Sequence, residues 1–365
     1  MSRDEDEKWM RECLRLAKKG VGRVSPNPLV GAVIVRGGRA IGKGYHRSFG
    51  EAHAEVNAIR DALRRGSDVN GATLYVNLEP CSHQGKTPPC VSMIIKHRIG
   101  KVVAGMEDPN PLVAGRGFAK LRRFGVKVTS GVLRSQAATL NEKFIKYITT
   151  GIPFVGLKVA RTSDGFIART DGSSKWITNK RSRTLAHVLR REYDAVLVGA
   201  GTVALDNPKL TVRHVRGRNP LRVVIDGRLR SPLGAHLYND ADRKKTIVFA
   251  SRPAKGKVGA LRKKGVHVVV MKGKKVEIPV KHILKWLAER GIASVMVEGG
   301  RTTYGHFLDA RAVDTIHMFV SPKIFVKGIL AFDGSGEQFA LRRQRVTYVG
   351  RDTLIEGRVA YGGRK

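Results

Sequence analysis

His53-Ala54-Glu55, then Pro80-Cys81 and Pro89-Cys90 with eight residues between the two cysteines, decide how this chain is read. One imidazole and two thiolates hold a zinc ion with a fourth position left open, the arrangement of a catalytic zinc rather than a closed structural one. The glutamate two residues after the histidine is placed to move protons beside the metal. This is the ligand set of a hydrolytic site that removes an amino group from a nucleobase-like ring. Zinc lowers the pKa of a bound water from roughly 15.7 to about 7. Glu55 would take its proton and pass it to the ring and the leaving amine. Two blander readings stay open at this point: a closed site with a fourth ligand such as His83, and buried free cysteines without metal.

Working outward, His53–Arg64 has helical spacing, with Ala54, Val56, Ala58, Ile59 and Leu63 on one stripe. His53 and Glu55 then fall in a first turn, where unpaired amides and partial positive charge favour an anionic ligand. Upstream, 7–18 reads as a helix, 29–35 as a buried strand, Gly37-Gly38 as a hairpin turn and 40–45 as the returning strand. Downstream, strands are expected at 73–77, 101–106 and 126–129, and helices at 91–96 and 117–124. Pro89 suits the opening of the helix that carries Cys90. The alternation is α/β.

A second alternating series follows Gly151-Ile152-Pro153, so domains of 1–149 and 150–365 are expected. Its strands are predicted at 154–160, 195–199, 222–225, 246–250, 266–270 and 294–298, and its helices at 179–192, 280–290 and 303–310. Val295-Met296-Val297-Glu298-Gly299-Gly300 running into a helix reads as a phosphate cradle: glycines let the backbone approach, and the opening amides point at the ligand. No G-x-G-x-x-G segment follows a strand, which argues against a Rossmann site.

The formal charge of +38 first suggests nucleic acid. The lysines and arginines are spread along the chain, however, in short clusters such as Lys180–Arg183 and Arg342-Arg343. A general basic surface steers phosphorylated metabolites as well. Nucleic acid is therefore not expected as a partner. No apolar stretch approaches the ~20 residues of a membrane span. The acidic start, Met1 to Glu7, lacks the apolar core of a secretion signal. The three cysteines, Cys13, Cys81 and Cys90, cannot all pair, which fits a reducing cytoplasm.

The first half resembles the pyrimidine deaminase half of the bifunctional riboflavin-biosynthesis deaminase/reductase family. The resemblance is carried by Ser25-Pro26-Asn27-Pro28-Leu29-Val30-Gly31, Gly42-Lys43-Gly44-Tyr45-His46, the His53–Ile59 and Glu79–Cys90 segments, and Asp108-Pro109-Asn110-Pro111. The eight-residue gap between the cysteines sets this family apart from cytidine and tRNA-adenosine deaminases, which usually carry two residues there. It implies a cytidine-deaminase-like three-layer domain, with Asn27 and His46 lining a pyrimidine pocket and His83 and Lys86 on the substrate phosphate.

The second half resembles the family's reductase half, with a dihydrofolate-reductase-like fold and NADPH as cofactor. That resemblance rests on Leu157-Lys158-Val159-Ala160-Arg161-Thr162-Ser163-Asp164-Gly165, Ser173–Thr178, Gly199–Arg213 and Val295–Tyr304. It implies cofactor contacts at Ala160, Trp176, Thr202, Asp206, Gly227, Gly300, Arg301, Thr302, Thr303 and Gly305. Substrate contacts are implied at Ser174, Arg190, Leu210, Arg213 and Glu298, with Lys158 and Asp206 as the groups that polarise and relay protons. Two departures are visible: Thr162-Ser163 stands where the family often has Ser-Leu, and Gly227 where serine is commoner.

The expected enzyme deaminates a diaminopyrimidinone ribosylamino-phosphate and then reduces its ribosyl group. A homo-oligomer is expected. The competing readings are an RNA-directed zinc deaminase with a basic nucleic-acid-binding second half, and a regulatory protein built on a dead deaminase fold. The long cysteine-to-cysteine loop and the Glu298-Gly299-Gly300 segment oppose the first, and the complete His53, Glu55, Cys81, Cys90 set opposes the second.

Overall fold

A computed structural model describes residues 2–83, 88–111, 113–271, 276–332, 334 and 338–362. Lys86 lies outside the described residues. The chain divides into two compact units, Met1–Ile152 and Pro153–Lys365.

The first unit opens with helix α1 (Arg3–Ala17), which starts four residues earlier than the apolar stripe predicts. The Ser2 hydroxyl accepts the Glu5 N–H, and Asp4, Glu5 and Asp6 sit at the positive end of the helix. A five-stranded sheet follows in the order β2-β1-β3-β4-β5. Its strands are β1 (Gly31–Arg36), β2 (Arg39–Tyr45), β3 (Thr73–Val76), β4 (Lys101–Ala104) and β5 (Lys127–Ser130). The β1 pairings with β2 and β3 are antiparallel, whereas β3-β4 and β4-β5 are parallel.

The two-residue period divides the core into two layers. Val33, Val35, Tyr75 and Val103 pack with Trp9, Met10, Cys13 and Leu16 of α1. Ala32, Ile34, Leu74, Val76, Val102 and Ala104 face the other way, onto α2 (Ala54–Arg64), α3 (Cys90–Lys96) and α4 (Arg116–Arg123). The result is α/β/α. Contact between α2 and β2 is backbone to backbone. A Cβ on Gly44 would lie 2.3 Å from the Ala54 carbonyl oxygen, and one on Gly42 would lie 2.4 Å from that of Ala58. Gly42-Lys43-Gly44 therefore seats the helix that carries Glu55. Helices α5 (Arg134–Leu140) and α6 (Glu142–Thr150) complete the unit, and Gly151, at φ 67°, caps α6.

The second unit is built on a nine-stranded sheet. Its strands are β6 (Phe154–Thr162), β8 (Ala195–Gly199), β9 (Leu221–Ile225), β10 (Thr246–Ala250), β11 (His267–Val270), β12 (Ser294–Val297), β13 (Thr315–Ser321), β15 (Phe339–Val349) and β16 (Asp352–Tyr361). Their order is β11-β10-β9-β8-β12-β6-β13-β16-β15. The run from β11 to β13 is parallel, and β16 and β15 are antiparallel additions. The short strands β7 (Phe166–Ala168) and β14 (Ile329–Leu330) pair separately. The α-helices of this unit among the described residues are α7 (Lys180–Arg191), α8 (Ala200–Asp206), α9 (His236–Asn239), α10 (Lys257–Lys263), α11 (Val280–Ala288) and α12 (Arg301–Asp309).

The sequence reading ends its strands at Glu298 and misses the four that follow, β13 to β16. β15 is an edge strand whose consecutive Arg342-Arg343-Gln344-Arg345 are exposed around a register shift, so it shows no apolar period. No helix among the described residues is long and apolar enough to cross a membrane.

Candidate active sites

In the first unit, His53 is the N-cap of α2 and Cys90 the first residue of α3, so two helix N-termini converge. The His53 Nδ1 lies 3.6 Å from Cys81 Sγ and 3.3 Å from Cys90 Sγ. All three donor atoms lie within 4.8 Å of one another. A tetrahedral zinc with ordinary Zn–N and Zn–S lengths requires N–S separations of about 3.6 Å. The cluster fits that ion. The Cys90 N–H also donates to Cys81 Sγ at 3.3 Å. The Cys81 thiol is drawn down to about 4, first by a hydrogen bond from Cys90 and then, against its burial, by the His53 ring. The same contact with Cys81, together with burial, raises Cys90.

Glu55 is 3% exposed. Burial pushes its carboxyl up to about 7, and the Cys81 sulfur adds to the rise. It faces a cavity of about 280 Å³ that His53, Cys81, Asn27, His46, His83 and Asp108 also line. His46 donates from Nδ1 to the Ala52 carbonyl at 3.3 Å, leaving Nε2 to accept from Asn27 Nδ2 at 3.2 Å. Burial lowers the His46 pKa, keeping the ring neutral for that role. Glu79, which also lines the cavity, accepts four backbone N–H groups, from Asp108, Gly115, Gly117 and Phe118, at 2.8–3.1 Å. It ties Asp108, Gly115 and the start of α4 to the segment that carries Cys81.

The second unit holds a larger cavity, of about 900 Å³, at the carboxyl ends of β8, β9 and β12, where open parallel sheets place their ligands. Glu298 follows β12 and forms a two-pronged pair with Arg190 of α7, Nε to Oε1 at 2.7 Å and Nη2 to Oε2 at 2.9 Å. Lys158 Nζ stands 3.9 Å from the same carboxylate. Arg190 and Lys158 hold the Glu298 carboxyl down at about 2 despite its burial. Lys158 is itself lowered, because burial and the Arg190 charge outweigh the share of Glu298 left to it. Asp206 closes α8 and accepts the Ser174 hydroxyl at 2.7 Å.

At the rim, Trp176 is 61% exposed and carries the Arg183 guanidinium 4.5 Å above its ring. Gly300 is the N-cap of α12 at φ 71°, a conformation suited to glycine. A Cβ on Gly299 would lie 2.8 Å from Thr202 Oγ1. The backbone cradle and the amides that open α12 fit a pyrophosphate-bearing cofactor.

Residues 3–106 match the cytidine and deoxycytidylate deaminase zinc-binding region, and residues 153–355 match the RibD C-terminal domain. The riboflavin biosynthesis protein RibD of Aquifex aeolicus is 44% identical, over 97% of this chain and 99% of its own. The chain belongs to the RibD family. A solved diaminohydroxyphosphoribosylaminopyrimidine deaminase/5-amino-6-(5-phosphoribosylamino)uracil reductase from Thermotoga maritima superposes with a TM-score of 0.87 at 42% identity, covering 98% of this chain and 99% of that one. Acinetobacter baumannii RibD gives 0.88 at 34% identity, covering 98% and 100%. RibD enzymes join a zinc-dependent deaminase and an NADPH-dependent reductase of riboflavin biosynthesis in one chain, and this chain is such a bifunctional enzyme.

Within the RibD frame, Asn27, His46, His53, Glu55, Cys81 and His83 of the expected deaminase residues line the first cavity; Cys90 is not among its lining residues and joins the site through His53 and Cys81. Of the expected reductase residues, Lys158, Ala160, Ser174, Trp176, Arg190, Thr202, Asp206, Leu210, Arg213, Glu298, Gly300, Arg301, Thr302 and Thr303 line the second cavity. Gly227 and Gly305 are not among its lining residues. Gly227 instead meets another segment: a Cβ there would lie 2.3 Å from the Val276 carbonyl oxygen. That contact gives the glycine a packing reason in place of the family's serine. The sequence reading gave no role to Glu79, Asp108 or Phe144 in the first unit, nor to Arg183, His187 or Tyr304 in the second. Tyr304 donates to the Lys158 and Glu298 carbonyls at 2.9 and 3.1 Å. Its place beside the Gly299-Gly300 turn was the one available signal.

Proposed function

We propose that residues 1–149 hydrolyse an amino group from a diaminopyrimidinone ribosylamino-phosphate. Residues 150–365 then reduce its ribosyl group to a ribityl chain. The observation that carries this reading is the convergence of the His53, Cys81 and Cys90 donors, with His53, Cys81 and Glu55 lining one cavity.

Zinc bound by these three side chains supplies a Lewis acid that makes water deprotonable near neutral pH. Glu55, buried and raised to about 7, would make two transfers: it takes one proton of the attacking water to the ring nitrogen, and then the second, from the hydroxyl added to the ring, to the amino group that leaves as ammonia. Asn27 and His46 offer hydrogen bonds to the pyrimidine edge, and His83 is the described residue that would meet the phosphate.

NADPH, held at the second site, would supply a hydride for C1′. As the C1′–O4′ bond opens, O4′ needs a proton. Lys158 and Asp206 are the groups placed to polarise that centre and deliver it. Arg190 and Glu298 fix the sugar end, and Arg213 takes the ribose phosphate, since a guanidinium offers paired donors to phosphate oxygens. Arg301, Thr302 and Thr303 cradle the cofactor phosphates.

The dispersed basic residues support a role without nucleic acid, and the free Cys13, Cys81 and Cys90 support a cytoplasmic setting. The exposed Val346 and Tyr348 of the β15 edge support a homo-oligomer. Glu55→Gln tests the division of labour. It abolishes ammonia release and leaves NADPH oxidation on the deaminated intermediate intact. Loss of both activities, or of neither, refutes it.

A further inference from the structure

Asn207–Arg213 crosses the mouth of the reductase cavity with no helix or strand of its own. Leu210, within it, adopts a left-handed backbone (φ 50°) although it is not glycine, a conformation that persists only where the surroundings enforce it. Side chains do the enforcing. Arg190 Nη1 donates to the Thr211 carbonyl at 2.7 Å, Asn219 Oδ1 accepts the Val212 N–H at 2.8 Å, and His187 Nδ1 accepts the Arg213 N–H at 3.1 Å. His187 and Arg190 are three apart on α7 and so share one face.

His187 is 4% exposed, and its ring stands edge-on to His214 at 4.5 Å. Accepting through Nδ1 leaves the ring proton on Nε2. A protonated ring would turn an N–H against the Arg213 N–H. Burial and the neighbouring Arg190 and Arg213 charges prevent that, holding His187 down at about 3.

We propose that His187 is a positioning residue of the reductase site: by accepting the Arg213 N–H it fixes where the Arg213 guanidinium stands and so sets affinity for the phosphorylated end of the substrate. The inference rests on the reading that Arg213 meets the substrate phosphate.

The test is steady-state NADPH oxidation by the full chain with the deaminated pyrimidine, in its phosphorylated and dephosphorylated forms. His187→Phe keeps a ring of similar size and loses the acceptor. It is expected to raise KM for the phosphorylated form about tenfold, as loss of one buried hydrogen bond implies. KM for the dephosphorylated form, KM for NADPH and kcat should stay near wild type. His187→Asn places an oxygen near the Nδ1 position and should restore the phosphorylated-form KM. A structural role alone would not separate the two substrates or be rescued in this way.

If Arg213→Gln leaves KM for the phosphorylated form unchanged, the phosphate reading fails and takes the inference with it. If Arg213→Gln raises that KM while His187→Phe does not, the positioning role alone fails. Should His187→Phe lose NADPH binding altogether, His187→Asn decides: wild-type KM values sustain the proposal, and a raised phosphorylated-form KM overturns it.

Discussion

Replacing Glu298 with Gln removes one negative charge from between two cations and changes little in shape. The wild-type carboxyl sits at about 2 against an ordinary value of 4.5. At 1.36 kcal/mol per unit, that depression is about 3 kcal/mol of native-state stabilisation. The Arg190 and Lys158 side chains are 10% and 18% exposed. They would be left without their shared counter-charge, a loss that costs about 3–5 kcal/mol in buried pairs. The sign in pH follows from the direction of the shift. A depressed carboxyl stabilises fully above its unfolded pKa and loses that contribution as pH falls towards the folded one. The gap in unfolding free energy between wild type and Glu298→Gln is therefore constant at neutral pH and narrows below about pH 4.5. Urea unfolding followed by the fluorescence of Trp176 and Trp286, in a Trp9→Phe background, measures it. A gap under about 1 kcal/mol at pH 7, or one that does not narrow towards pH 3, would refute the reasoning.

Two further substitutions probe the first unit. Gly44→Ala places a Cβ 2.3 Å from the Ala54 carbonyl oxygen and 2.4 Å from the Ala58 nitrogen, and neither backbone atom can move alone. We expect α2 to be pushed off β2 at a cost of about 1–3 kcal/mol, with zinc content and ammonia release falling together; full zinc occupancy with normal deamination would contradict this. Glu79→Gln turns an amide donor towards two of the four N–H groups that the carboxylate accepts. The expected loss of about 2–4 kcal/mol from charge-assisted bonds should appear as faster hydrogen exchange at Gly115–Phe118 and weakened deamination, with NADPH oxidation unaffected. Unchanged exchange there would rule it out.

Where a strand is covered on both faces, it was legible as an apolar run. Ala32 and Ile34 face one helical layer and Val33 and Val35 the other, so residues 29–35 read as an apolar run because both faces are covered. The same logic found β8, β9, β10 and β12. It failed at β15, where only one neighbour exists and arginines face water. Helix ends were displaced by capping: Asn179 accepts the Ser182 N–H and stands outside α7, although the apolar stripe included it. The ligand set was legible because the chemistry of zinc restricts it to few residue types. The left-handed Leu210 and its three side-chain pins were not, since no local pattern announces a backbone held from elsewhere.

The glutamates show where the limit lies. Glu55, Glu79 and Glu298 are one residue type, and each is almost wholly enclosed. Glu55 has burial and a sulfur against its charge and rises to about 7, which suits proton exchange at neutral pH. Glu298 has two cations and falls to about 2, which keeps it an anion at any physiological pH. Glu79 has neither; four backbone amides from residues 29 to 39 positions away consume its oxygens and make it a brace for a loop. A motif can nominate Glu55, because its partner His53 is two residues off. Arg190 lies 108 positions from Glu298, so whether that carboxylate is a base, an anchor or a brace is settled only when the sheet brings α7 beside the end of β12.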